Sequence, residues 1–318
     1  MFLQQLVTGI SVGGIYALLA TGYSLIYSLL DFSNWAHGEF AMVSAYIAIV
    51  LSSFMGMPFV LAAVGGMAGG ALVSFLCERF AYRRIRRNGA PNMFLMIAAM
   101  GLSNVFQQAA NLIFSGQYRS YPFKLPVSTI KVASAYIGVL DLVSLAITAV
   151  IITILVYLIN KTQFGLNVRA IACNAHAAKV LGVKVDRCIA TVFVLAGALA
   201  GVAGVLYGGY LMYIVPSSFN LAKSCELITT TVIGGLGSLT GSLLGAVIVT
   251  VLPEVFRSLA NYRMLLYGIA VVLIILFKPS GLYGYKEFSL KRTIRWFRTL
   301  PERLKGRKQA KTEEKEGR

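Results

Sequence analysis

Charge is scarce in this chain. Only 13% of its 318 residues are Asp, Glu, Lys or Arg, while 57% are hydrophobic and the mean hydropathy is +0.74. A water-soluble globule carries nearly twice that charged fraction, about 25%, so this chain has too little polar surface to cover itself and needs lipid as its solvent. Acid is scarcer still, with 12 Asp and Glu against 29 Lys and Arg and a net charge of +17. Such an excess can serve nucleic acid, but here the positive residues stand in short clusters between apolar runs rather than over one soluble face, which argues against nucleic acid and for anionic lipid headgroups and cytoplasmic loops. Cys77, Cys173, Cys188 and Cys225 have no C-x-x-C spacing, so neither a zinc knot nor a redox pair is indicated. They read as small apolar packing residues. No G-x-x-x-x-G-K-[ST], H-E-x-x-H or G-x-S-x-G occurs. The chain therefore reads as a non-enzyme with no P-loop of its own, no metal site and no cofactor. The N-terminus has no basic n-region, and the apolar run behind it is too long for a cleaved signal, so it reads as a retained first span.

What is present is length of apolar run. Crossing a hydrocarbon core of about 30 Å takes about 20 mostly apolar residues in a helix. Seven runs approach or reach that length, near Leu6 to Leu30, Gly38 to Phe54, Pro58 to Cys77, Met93 to Phe114, Tyr136 to Ile159, Ile189 to Tyr213 and Leu239 to Val255. Met264 to Phe277 is shorter, and Glu226 to Ile233 is shorter again and runs into a glycine cluster. The expected fold is all-α, a polytopic transmembrane helical bundle of eight or nine crossings, some broken by glycine, over residues 1–284. A basic, solvated tail follows over 285–318.

Orientation follows the Lys and Arg of short loops. Arg79 to Arg87 carries five positive residues, Lys161 to Arg187 five, and the chain from Lys286 onward twelve, so all three segments are expected in the cytoplasm. Ser115 to Ala135 lies one span from each of the two neighbouring clusters and is then external. An even number of crossings must separate Arg187 from Lys286, so Glu226 to Leu236 is expected to be a foreshortened crossing of the kind that lines transport pathways. No Lys or Arg precedes Arg79, so loop charge does not orient the first span.

Three features carry candidate roles. Glycines stand four apart on several runs, among them Gly197 and Gly201, and Gly237, Gly241 and Gly245, with Gly234 and Gly235 beside them. In lipid this spacing lets helix backbones pack closely. The connection from Asp31 to Glu39 places two carboxylates, an imidazole and an amide between apolar spans. It is either an interfacial loop anchored by Trp35 or a break in the helical wall beside a substrate path lined by Asn34, His37, Gly38 and Glu39. Glu226, followed by Thr230, is a second carboxylate at membrane depth and has Lys223 near enough to neutralise it, as a structural pair or as part of the path. The third feature is the segment from Arg169 to Gly182. Its alanines favour helix, and Gly182 would end that helix. Val168, Ile171, Ala172, Ala175, Ala178 and Leu181 recur at helical spacing, which gives an apolar face that needs either a partner protein or the bilayer surface.

Gly13-Gly14-Ile15-Tyr16-Ala17-Leu18, Asn34-Trp35-Ala36-His37-Gly38-Glu39-Phe40, the loop from Arg169 to Gly182 and Val232-Ile233-Gly234-Gly235-Leu236-Gly237-Ser238 together resemble the LivH-type permease subunits of branched-chain amino acid ABC importers. Trp35 stands where family members commonly have Phe, a conservative departure. The resemblance implies a multi-pass protein of the bacterial inner membrane. Its partners would be a second related permease subunit, two cytoplasmic P-loop ATPases that bind the ATP, and a periplasmic substrate-binding protein. It also implies that the loop at 160–188 docks on an ATPase through Arg169, Ala170, Asn174, Ala175, Ala178 and Gly182. A self-contained secondary transporter or channel is the competing class, with Asp31, His37, Glu39 and Glu226 as its candidate ion-coupling groups.

Overall fold

In hydrocarbon, backbone polar groups must be satisfied within the protein, which helices do segment by segment. The computed structural model describes residues 2–121, 129–132, 135–255, 262–277 and 281, and these are overwhelmingly helical. In chain order the helices are α1 (Phe2–Leu30), α2 (His37–Ile49), α3 (Phe59–Cys77), α4 (Arg83–Arg87), α5 (Asn92–Phe114) and α6 (Val139–Lys161). They continue as α7 (Gln163–Cys173), α8 (Ala175–Val180), α9 (Val185–Leu211), α10 (Leu221–Gly234), α11 (Leu239–Val255) and α12 (Arg263–Phe277). Single π-helical turns extend α2 through Phe54 and carry α3 into α4. Strand is limited, among the described residues, to β1 (Arg119–Ser120), β2 (Thr129–Val132), β3 (Ala135–Gly138) and β4 (Tyr213–Ile214).

The protein is an all-α polytopic membrane protein. Six stretches are long and apolar enough to cross singly: Val7–Leu30, His37–Phe54, Phe59–Arg87, Asn92–Phe114, Val139–Lys161 and Val185–Leu211. α10 and α11 form a bent pair, turned by 119° at a break of four residues or fewer. α10 has 14 residues and α12 has 15, which at 1.5 Å per residue is about 21–22 Å, short of the hydrocarbon thickness. The expected eight or nine crossings are thus approached only by counting α10, α11 and α12 singly. The tail at 285–318 lies outside the described residues.

Two contacts fix the sides. β1 pairs antiparallel with β4, Arg119 opposite Ile214 and Ser120 opposite Tyr213, so the segments after α5 and α9 meet on one face. On the other face Asp186, at the start of α9, accepts hydrogen bonds from Arg83, Arg86 and Arg87 at 2.9 Å each. The clusters that the positive-inside rule assigns to the cytoplasm therefore touch one another. Ser11 of α1 donates to the Asp141 carbonyl at the outer end of α6 (3.3 Å), while the Asp31 carbonyl accepts from Asn92 at the inner end of α5 (3.3 Å). With Arg83 to Arg87 cytoplasmic, α1 runs from the external face inward, which supplies the orientation that loop charge could not.

α1 is central and packs on α11, α9, α6 and α10, while α9 packs on α3, α1 and α2. Small residues make this possible. A Cβ on Gly197 would stand 2.5 Å from the Gly70 carbonyl oxygen of α3, and one on Gly201 would stand 2.8 Å from the Met67 Cα. A Cβ on Gly204 would run into the Ala41 backbone of α2, and one on Gly245 into the Thr230 carbonyl. Gly234 and Gly241 face each other across the α10–α11 turn, where Gly235 and Gly237 take φ of 122° and 75°, values an L side chain resists. The outer helices α3, α5 and α6 present Val60, Leu72, Leu112, Val150 and Tyr157 outward, as lipid-facing surfaces should.

Gly204→Ala is expected to overpack the α2–α9 contact by about 1–3 kcal/mol and lower the apparent melting temperature of the detergent-solubilised protein. Gly101→Ala, on α5 with nothing within 4 Å, is the matched control. Thermal unfolding followed by size-exclusion recovery measures both, and equal melting of the two variants would refute the close-packing account.

Candidate functional site

The chain breaks between α1 and α2. Asp31 takes a left-handed backbone (φ 50°), and the chain then runs non-helically to Ala36 before α2 begins. Phe32, Asn34, Ala36 and His37 are all 1% exposed or less, so most of this connection is covered by protein. The Trp35 indole nitrogen is buried as well. Non-helical backbone at such depth survives only where protein satisfies its polar groups. Asn34 Oδ1 accepts from the Ala36 amide at 3.2 Å, a local Asx turn, and from the Tyr82 hydroxyl at 2.9 Å. The Trp35 carbonyl accepts from Ser224 Oγ at 2.9 Å, so the break abuts the first turn of α10. Gly38 lies against the same turn, where an added Cβ would stand 3.3 Å from Ser224 Oγ.

The sequence-identified polar residues divide into two directions around this break. Glu39 is fully buried and turns toward α5, where its Oε1 accepts from Ser103 at 2.5 Å; its Oε2 has no hydrogen-bond partner among the described residues. The His37 ring packs on Gly22 of α1, with the Tyr23 and Phe40 rings at 6.1 and 5.9 Å. Glu226 turns toward α1 and α9. Its Oε2 accepts from the Tyr16 hydroxyl at 3.0 Å and pairs with the Lys223 ammonium at 3.3 Å. That ammonium also donates to the hydroxyls of Tyr16 and Tyr207. The Glu226–Lys223 pairing is the one the spacing suggested.

Thr230 does not join this group. Its hydroxyl donates back to the Glu226 carbonyl at 2.7 Å, and its own carbonyl packs on Gly245 of α11, so it is a helix-packing residue. Sequence reasoning missed Ser103, Tyr82, Ser224 and Tyr207 because single hydroxyls inside apolar runs carry no local signal. Tyr16 was inside a noted motif, without an assigned partner.

In the loop at 160–188 the packing changes which of the expected contact residues a partner could reach. Asn174, extended at φ −162° and ψ 106°, breaks the expected single helix into α7 and α8, and its side chain caps α8 by accepting from the Ala177 amide at 2.9 Å. Gly182 ends α8 in a left-handed turn (φ 85°), as its position suggested. Half of the apolar stripe, however, faces inward, while Ala172 is half-buried and Ala175 and Leu181 are exposed. Val168, Ile171 and Ala178 are 0%, 3% and 2% exposed because α7 and α8 pack on the chain's own α6, α1 and α9. Ala178 therefore cannot be reached by a partner. The Arg169 guanidinium is also engaged within the chain, donating to the Ile159 carbonyl at the end of α6, and Ala170 is half-buried. What the loop presents is Asn174, Ala175, His176, Lys179 and Gly182, with two apolar residues at its tip, Val180 (77% exposed) and Leu181 (81%).

Ser103→Ala is expected to leave the buried Glu39 carboxyl without its described hydrogen bond, at a cost of about 1–3 kcal/mol in stability. Ser103→Ala combined with Glu39→Leu should recover part of that loss. Thermal unfolding of the two variants decides the matter, and no loss in the single variant would mean that Glu39 is satisfied elsewhere.

Residues 5–276 match the family model described as branched-chain amino acid transport system / permease component. The high-affinity branched-chain amino acid transport system permease protein BraD of Pseudomonas aeruginosa is 32% identical over 302 residues, covering 90% of this chain and 97% of that protein. LivH of Salmonella typhimurium is 29% identical, over 90% of this chain and 96% of its own length. LivM of the same organism, also named a permease protein of that system, is 26% identical over 87% of this chain and 69% of LivM.

Proposed function

Since this chain belongs to the branched-chain amino acid transport permease family, we propose that it is one permease subunit of an ATP-binding-cassette importer of branched-chain amino acids in the bacterial inner membrane. The observation that carries the transport reading is the pair of interrupted elements at membrane depth. The non-helical break from Asp31 to Ala36 meets the short α10 at Ser224, with Glu39 and Glu226 buried on either side. Broken helices with paired ionisable groups are how a membrane protein lines a solute path without exposing backbone to lipid. The match to both LivH and LivM supports pairing with a second, related permease.

Energy has to come from outside, because the sequence has no P-loop. Two cytoplasmic ATPases would hydrolyse the ATP, and a periplasmic binding protein would deliver the amino acid. The loop of α7 and α8 is the element suited to receive an ATPase: it carries the positive charge of a cytoplasmic loop, is held to α1, α6 and α9 from within, and is tipped by Val180 and Leu181, which are 77% and 81% exposed among the described residues. An exposed apolar pair on a rigid, otherwise polar tip is the anchor expected of a protein contact. Closure of the ATPases on ATP would push this tip and switch the path between outward-facing and inward-facing states.

The test is co-expression of the chain with a second permease, an ATPase pair and a binding protein, followed by affinity purification and leucine uptake. Val180→Asp with Leu181→Asp should cut ATPase co-purification and uptake at least about tenfold while leaving the melting temperature within about 2 °C, since both side chains are solvent-exposed. Ala178→Trp should instead lower the melting temperature, because the residue is interior. Normal ATPase binding and uptake in the double-aspartate variant would remove the docking assignment.

A further inference from the structure

The ammonium of Lys223 is enclosed by groups from three helices. It lies 4.4 Å from the centre of the Tyr16 ring and 4.8 Å from that of Tyr207, and it stands 3.3 Å from Glu226 Oε2. The two rings meet edge to face at 6.5 Å, and Phe219 packs on Tyr207 at 5.8 Å. The Lys223 and Glu226 side chains are 14% and 7% exposed. Two tyrosine hydroxyls and a carboxylate around a primary ammonium form the chemistry that recognises the amino group of a small molecule. Here the occupant is the chain's own lysine, on a flexible four-carbon stem at the first turn of α10. That turn is the one that touches the helix break at Trp35 and Gly38.

Electroneutrality narrows what could take its place. The Lys223–Glu226 pair is neutral as a whole, and so is a zwitterionic amino acid. With its ammonium on Glu226 and the tyrosines and its carboxylate on Lys223, a zwitterion replaces one ion pair by two and buries no net charge. A lone cation or anion at this depth would leave one charge uncompensated, which is costly where water is excluded. We propose that Tyr16, Tyr207 and Glu226 form an amino-group subsite, and Lys223 a carboxylate subsite, for a zwitterionic amino acid in transit, and that the Lys223–Glu226 pair is the closed, empty form of this site. The proposal rests on the importer reading above and adds a site within this chain to whatever selectivity a binding protein confers.

The experiment measures tritiated leucine binding to the assembled permease–ATPase complex without binding protein, in nucleotide-free and vanadate-trapped states. Competitors are unlabelled leucine, leucinamide, which lacks the carboxylate, and 4-methylpentanoate, which lacks the amine. In at least one state leucine should compete at least about tenfold better than either analogue, and Glu226→Gln and Lys223→Met should each weaken binding at least about tenfold in complexes that still co-purify. Tyr207→Phe keeps the ring and removes one hydroxyl, so its loss should be only a few-fold. If the wild-type complex transports leucine with binding protein but binds none without it in either state, the proposal is overturned while the importer reading stands. Equal competition by the analogues, or full binding in both charge variants, overturns it as well. A wild-type complex that neither assembles nor transports would sink the importer reading, and this site with it.

Discussion

At membrane depth a polar group must find its partner inside the protein, and most of this structure follows from that constraint. It makes the spans helical. It also sets how close they stand, because an ion pair or hydroxyl bond between helices needs backbones near enough for short side chains to meet. Ser74 Oγ donates to the Phe193 carbonyl of α9 at 2.7 Å only because Gly70 and Gly197 let α3 and α9 come together beside it. Packing of this kind, rather than hydrophobicity, is what draws helices together in lipid.

The same constraint explains why the two interrupted elements lie against each other. A break in α1–α2 frees backbone groups, and a short α10 brings a charged first turn to membrane depth. Each is costly alone. Together they offset one another in part: Ser224 on α10 satisfies the Trp35 carbonyl, and the Asn34 side-chain oxygen accepts from Tyr82 and from its own turn, while Asn34 Nδ2 has no hydrogen-bond partner among the described residues. The cytoplasmic end is built differently. There Asp186 gathers three arginines that also carry the positive-inside signal, so one cluster orients the chain and ties α4 to α9.

Much of this was legible in the sequence, and the limits have physical causes. Apolar run length located α1, α2, α3, α5, α6, α9, α11 and α12 to within a few residues, because spanning a fixed thickness leaves little freedom. Charge parity called for a short crossing near Glu226, and the short α10 lies there, but it is bent by 119° from α11 and the pair counts as at most one span. The spacing of Lys223 and Glu226 gave their pairing because it is local. Long-range partners were not legible: nothing in the sequence joins Glu39 to Ser103 or Asn34 to Tyr82, pairs set by how helices stack. Which residues of the 160–188 loop stay exposed was only partly legible, for another reason. An apolar stripe at helical spacing shows that a face is covered and not by what; Val168, Ile171 and Ala178 are covered by this chain, while the uncovered pair, Val180 and Leu181, stands at the end of the pattern where periodicity says least.

Under the proposed docking, the inward-facing half of that stripe gives the loop a mechanical role. A helix held only by lipid would slide when pushed, whereas α7 is seated on α1 and α9, and Arg169 fastens it to the last turn of α6. Close-packed contacts of this kind are not continuously deformable, so a displacement at the loop tip has to be taken up as movement of whole helices. The helices α7 bears on are the two that supply Tyr16 and Tyr207 to the Lys223–Glu226 pair. A shift of either one changes the tyrosine contacts to that pair first, because Lys223 and Glu226 share α10 while Tyr16 and Tyr207 come from α1 and α9.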